Sequence, residues 1–196
     1  GHIAAGYGGA IKNIGMGLGS RGGKLEMHSK LKPKFKKSKC VGCGTCVENC
    51  PTDAIELVEK RAVMDKNKCI GCATCIAVCP YKAVSIPWIG LTMKSIQERI
   101  VEYASAVQSK IPIINFNFLI DITPKCDCVS NSGKPITNDI GILASRDIVS
   151  VEKAAIDMIG KSPGISIAKS KIKKSVQPKY ASELGMGQLE YEIEKV

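Results

Sequence analysis

Long apolar runs are missing from this chain. Its most apolar stretch, Ile111 to Ile120, is ten residues long and carries Asn115 and Asn117. A membrane-spanning helix needs roughly 20 apolar residues, so no span is expected. Aromatic residues are scarce: three Phe, five Tyr and one Trp are too few for the stacking platform of a single-strand nucleic-acid binder. The N-terminal Gly1-His2-Ile3-Ala4-Ala5-Gly6 has neither the basic head nor the apolar core of a secretion signal. An initiator Met is absent too, as expected of a fragment or a processed chain.

Positive charge is present in excess. The 196 residues are 44% apolar and 23% charged, a balance that builds an ordered core rather than a disordered chain. The length suits one domain, or a small module set into a second. The net charge of +10 is concentrated. Arg21 to Lys39 holds eight basic residues and one acid, Glu26, and Lys161 to Lys179 holds six lysines and no acid. Residues 40 to 87 balance, with five of each sign. The basic runs read as solvated flanks, and the lysines of Lys34 to Lys39 also suit docking of an acidic redox partner. Nucleic-acid binding through Lys30 to Lys39 is a disfavoured third reading, because the runs lack interleaved aromatics.

Cysteine is the other excess, with ten residues. Cys40, Cys43, Cys46 and Cys50 follow the spacing C-x2-C-x2-C-x3-C, with Pro51 next. Cys69, Cys72, Cys75 and Cys79 repeat it, with Pro80 next, at a constant offset of 29 residues. The register continues past the ligands, Pro51 to Ile55 aligning with Pro80 to Val84. This is an internal repeat, the trace of a pseudo-two-fold module. A cysteine every third residue lets a short loop wrap one corner of a cubane after another. The small residues Gly42, Gly44, Gly71 and Ala73 leave room for backbone N–H groups to face its sulfurs. Disulfides fit poorly without a secretion signal, and zinc sites generally use separated Cys pairs or histidines. Lys37 to Pro87 resembles a bacterial-type ferredoxin. In such two-cluster modules the fourth cysteine ligates the other cluster. The resemblance therefore implies one [4Fe–4S] cluster on Cys40, Cys43, Cys46 and Cys79, and a second on Cys69, Cys72, Cys75 and Cys50. Ala54 to Val58 and Arg61 to Met64 read as a hairpin turning at Glu59-Lys60.

Around this module, Leu91 to Lys110 has helical periodicity, with Met93, Ile96, Ile100, Tyr103, Ala104 and Val107 on one face and a capping box at Ser95 and Glu98. Ile113 to Ile122 and Ile140 to Ala144 read as strands, the second buried, with a loop over residues 129–138 between them. Val149 to Ile159 reads as a helix stopped at Gly160. The expected architecture is an α+β ferredoxin-like two-cluster module, residues 37–88, inserted in an α/β domain formed by residues 1–36 and 89–196.

Gly1-His2, Gly6 to Gly17, Gly22 to His28, Asp121 to Cys128, Asp139 to Ser145 and Gln188 to Glu192 together resemble the uncharacterised family numbered three hundred and sixty-two among domains of unknown function. Members of that family often carry an inserted ferredoxin module and extend further at the N-terminus, which implies that this chain begins within the domain. A remoter resemblance, to the nickel-pincer lactate racemases, rests on the order and spacing of His2, Lys12 and His28. It implies an acid/base role for His2, a cofactor tether at Lys12 and a nickel ligand at His28. The glycine-rich stretch Gly6 to Gly19 lacks the Gly-Lys-Ser/Thr ending of a phosphate loop. Cys126-Asp127-Cys128 reads either as a metal or redox dithiol site, helped by His28 or Asp127, or as structural cysteines at a turn. Asp121 and Asp139 either line a pocket or serve as strand-end hydrogen-bonding groups.

The expected function is an electron relay through two [4Fe–4S] clusters in a reducing cytoplasm. The alternative is a metalloenzyme fed by the clusters, with an additional metal and candidate catalytic residues His2, Lys12, His28, Cys126 and Cys128.

Overall fold

The computed structural model describes residues 1–28, 32–86, 92–163, 165 and 174–195. Lys30, Pro87, Leu91 and much of the Lys161–Lys179 run lie outside the described residues. In chain order, α1 (Ala10–Lys12) continues into a π-helical turn (Asn13–Gly17), followed by α2 (Arg21–His28) and β1 (Lys34–Phe35). Next come α3 (Thr45–Glu48), the hairpin β2 (Ile55–Val58) and β3 (Arg61–Met64), then α4 (Thr74–Val78) and β4 (Val84–Ser85). The remainder is α5 (Met93–Gln108), β5 (Asn115–Leu119), β6 (Gly141–Ser145), α6 (Ile148–Lys161) and α7 (Gln177–Glu183). The chain divides into two compact units, Gly19–Leu91 on the one hand and Gly1–Leu18 with Thr92–Val196 on the other.

The cysteine-rich unit starts at Gly19, upstream of residue 37. Gly22 lies against the Cys72 backbone and the Lys32 ammonium donates to the Cys69 carbonyl, so α2 and the segment after it belong with the cysteine loops. Within the unit the repeat in sequence is also a repeat in geometry. β1 pairs antiparallel with β4, Phe35 opposite Val84, and β2 with β3, Ile55 opposite Met64. A shift of 29 residues converts the first pairing into the second. Left-handed backbone recurs at the same offset, at Gly42 and Gly71, Gly44 and Ala73, Asp53 and Lys82. Glu59 and Lys60, φ 50° and 57°, form the hairpin turn, two left-handed residues that match the twist of the paired strands.

In the other unit β5 and β6 form an antiparallel pair, Asn115 opposite Ser145 through Leu119 opposite Gly141. Among the described residues this unit is therefore α+β, not the expected α/β. No helix lies between the two strands, and a parallel pair needs such a crossover. α6 packs on both strands, while α5 packs against the π-helical turn and α7. The core joins Ile3 and Tyr7 to Leu119, Ile122, Ala155, Ile156 and Ile159. Burying each large aliphatic side chain there contributes about 1.5–3 kcal/mol.

Three local expectations shift. Helix α5 is capped one turn earlier, by Thr92, whose hydroxyl accepts from the Ser95 N–H at 3.1 Å. Its buried face is Gln97, Ile100, Val101 and Ala104, with Met93 exposed. Gln97 is accommodated because its amide bonds the Lys174 carbonyl and the Val176 N–H. β6 is largely exposed rather than buried, because α6 covers only one face of the pair. α6 runs through Gly160 and is capped by Asp147, which accepts from the Val149 and Ser150 N–H groups at 2.8 and 2.9 Å.

Candidate functional site

The eight repeat cysteines line two separate pockets. Cys40, Cys43, Cys46 and Cys79 share one of about 340 Å³ with Phe35, Val41, Leu57 and Val84. Cys50, Cys69, Cys72 and Cys75 share one of about 330 Å³ with Ile55, Met64, Ile70 and Ala73. Each quartet thus takes three cysteines from one half of the repeat and the fourth from the other. The exchange follows from the short helices: Cys46 and Cys75 are buried on α3 and α4, and the chain then turns so that Cys50 and Cys79 face across the pseudo-axis. The apolar walls also repeat, since Val41 and Ile70 are 29 residues apart.

Hydrogen bonds to sulfur follow the same symmetry. The Ala54 N–H donates to Cys50 Sγ and the Ala83 N–H to Cys79 Sγ, each at 3.3 Å. Cys43 shares a bond with the Thr45 hydroxyl at 3.5 Å, and the Cys72 thiol donates to the Thr74 hydroxyl at 3.4 Å. The Ala62 N–H adds a bond to Cys40 Sγ at 3.4 Å. Donors aimed at sulfur favour the thiolate. The Cys43 thiol is held below its ordinary range by the Thr45 hydroxyl and backbone. At Cys50 burial pushes up, but bonds from the Thr52 and Ala54 N–H groups more than offset it and the net direction is down. Burial raises Cys46, and burial together with Cys72 and Cys69 raises Cys75 to about 11. A bound metal displaces such protons.

The other unit holds a more polar pocket of about 850 Å³, lined among others by His2, Tyr7, Lys12, Asn117, Asp121 and Asp127. The N-terminal segment is held at it by a single parallel bridge: the Ile3 N–H donates to the Thr123 carbonyl and the Thr123 N–H to the Gly1 carbonyl, both at 3.0 Å. His2 is only 4% exposed, and neither ring nitrogen makes a well-formed hydrogen bond, the Ala4 backbone exerting only a minor pull on the ring. Burial, then the nearby Lys12 ammonium, lowers its pKa to about 4, so the ring is neutral at pH 7. Gly8 has no room for a side chain, because a Cβ would collide with the His2 ring.

Lys12 closes the first helix and sits 3.5 Å from the Asp127 carboxylate. The helix is fixed from below by Glu152, which is fully buried and accepts from the Ile11 N–H at 3.4 Å and from Asn117 Nδ2 at 3.2 Å. Burial raises Glu152 to about 7. The π-helical turn after Lys12 comes so close to α5 that a Cβ on Gly15 would strike the Ile100 carbonyl. The Cys126 thiol donates to Asp127 at 3.3 Å and accepts from the Cys128 N–H at 3.4 Å. Burial pushes Cys126 up to about 11. The ligand atoms of His2, Cys126 and Asp127 all lie within 4.8 Å of one another.

Of the residues singled out in the sequence, His2, Lys12, Cys126, Asp127 and Asp121 meet in or beside this pocket. Cys128 is exposed. Asp139 instead accepts from the Asp121 N–H at 3.0 Å, a strand-end role. His28 lies on α2 in the cysteine-rich unit, where its Nδ1–H donates to the Lys24 carbonyl at 2.7 Å. It is not among the residues lining the pocket. Tyr7, Asn117 and Glu152 carry no signal in the sequence beyond being polar groups at positions that turn out buried.

No curated protein matches this chain. A family profile does, over residues 1–157, spanning both units and ending within α6, short of Gln188 to Glu192. The chain belongs to the family described as a domain of unknown function, DUF362.

Proposed function

We propose that the Gly19–Leu91 unit binds two [4Fe–4S] clusters and that the protein relays electrons through them. When bound, such clusters each exchange one electron. The observation that carries the reading is the crossed pair of cysteine quartets, one per pocket, related by the 29-residue repeat. The donor set fits. Eight thiols, backbone and hydroxyl donors aimed at sulfur, and apolar walls supply ligands, tune their basicity and limit solvent access.

A single zinc per quartet fits less well. Zinc sites generally use separated Cys pairs or histidines, whereas the repeated C-x2-C-x2-C-x3-C run with a following Pro is the pattern of cubane ligation. Lys34, Lys36, Lys37 and Lys39 are exposed beside the first quartet and suit an acidic redox partner, whose association rate would fall with salt. An oxygen-sensitive pair of clusters agrees with a reducing cytoplasm.

Anaerobic iron and sulfide analysis with visible spectroscopy tests the proposal. About eight irons and eight sulfides per chain, with broad absorption bleached by dithionite, are expected. Protein prepared anaerobically with one metal per quartet and no labile sulfide would refute it.

A further inference from the structure

We propose that His2, Cys126 and Asp127 form a mononuclear site for a divalent transition-metal ion of the zinc class, with its open coordination facing the pocket lined by Lys12. The site is separate from the cysteine quartets and does not depend on the electron-relay reading.

Two independent observations carry it. The first is the donor set: an imidazole, a thiol and a carboxylate whose ligand atoms lie within 4.8 Å. Nitrogen, sulfur and oxygen donors together select a borderline ion such as zinc over magnesium or calcium. Tetrahedral edges about zinc are roughly 3.3–3.8 Å; the Cys126–Asp127 edge already measures 3.3 Å, and the edges to His2 need at most about an ångström of closure. The Asp127 side chain, 81% exposed, has room for a small adjustment while keeping its contact with Lys12. The second is His2 itself. It is 96% removed from solvent by its 4% exposure, yet neither ring nitrogen makes a well-formed hydrogen bond. Leaving a buried polar group unpaired is costly, and an ion bound at one ring nitrogen satisfies that atom.

The surroundings are built for the arrangement. Paired backbone bonds to Thr123 hold Gly1 and Ile3, which fixes His2 between them, and Thr123 is three residues before Cys126. Gly8 clears space for the ring. Lys12, 3.5 Å from Asp127, steadies the carboxylate from the outside. Three protein ligands with an open fourth position match a catalytic rather than a structural zinc site. Sequence reasoning offered His28 or Asp127 as the helper of the Cys126-x-Cys128 motif. The geometry instead selects His2 from 124 positions upstream and takes Asp127, not Cys128, as the third ligand.

The test uses the chain as isolated anaerobically, equilibrated with zinc. One zinc per chain is expected beyond the metal the chain already holds, whose amount is unchanged. The zinc K-edge spectrum should show one sulfur at about 2.3 Å, with the remaining ligands nitrogen or oxygen near 2.0–2.2 Å. Cys126→Ser should weaken binding about 100-fold or more, and Cys128→Ser should leave it within a few-fold. No stoichiometric zinc, a four-sulfur or sulfur-free spectrum, or equal loss in the Cys128→Ser variant would each overturn the site. The spectrum is read on the unaltered chain, so a variant that fails to fold does not shelter the proposal.

Discussion

Glu152 lies beneath the helix that carries Lys12, and its burial has a measurable price in pH. Its carboxyl is raised from an ordinary 4.5 to about 7, so between those values the folded chain holds a proton that the unfolded chain has released. An acid raised in the fold contributes fully below its unfolded pKa, and that contribution is lost as pH rises through the folded value. At about 1.4 kcal/mol for each tenfold change in proton activity, the loss from pH 4 to pH 8 is about 3 kcal/mol. Glu152→Gln keeps an acceptor for the Ile11 N–H and Asn117 Nδ2 and removes the ionisation. Chemical denaturation of both proteins, equally loaded and anaerobic, reads the difference. The variant should match the parent near pH 4 and gain on it steadily, reaching about 3 kcal/mol by pH 8. Parallel curves across pH 5–8, or an advantage that shrinks as pH rises, would refute the reasoning.

Two further outcomes follow from specific contacts. If the quartets are crossed, Cys79→Ser with Cys40→Ser damages one cluster and leaves about four irons, whereas Cys79→Ser with Cys69→Ser damages both; iron content in the reverse order would mean each run keeps its own fourth cysteine. Asp147→Ala removes the acceptor of the Val149, Ser150 and Gln188 N–H groups, so a loss of about 1–2 kcal/mol in thermal or chemical unfolding is expected, and an unchanged stability would show that the cap and the tail clasp contribute nothing.

The cysteine-rich unit was legible because its chemistry is periodic. A constant 29-residue offset specifies equivalent turns, and the Glu59-Lys60 turn between alternating segments gives the β2–β3 hairpin. The polar pocket was legible only in pieces. Lys12, Cys126 and Asp121 stand out by type, but nothing local joins His2 to Thr123 across more than a hundred residues. Glu152 and Asn117 are polar letters that periodicity assigns to the outside. They are buried because one caps the start of a helix and the other bonds that cap. The face of α5 rotated for a similar reason: Gln97 finds backbone partners inside, so Met93 is left in solvent.

The order of the two units along the chain also sets a timetable. Ile3 and Tyr7 are covered by Leu119, Ile122 and Ala155, yet Gly19–Leu91 comes between them. A ribosome adding about 5–20 residues per second takes roughly 7–30 s to travel from Tyr7 to Ala155. Throughout that interval the first segment waits with its apolar side chains uncovered. The intervening unit, whose last strand pairing is available once Ser85 is made, has those seconds to fold before the core of the other unit can close.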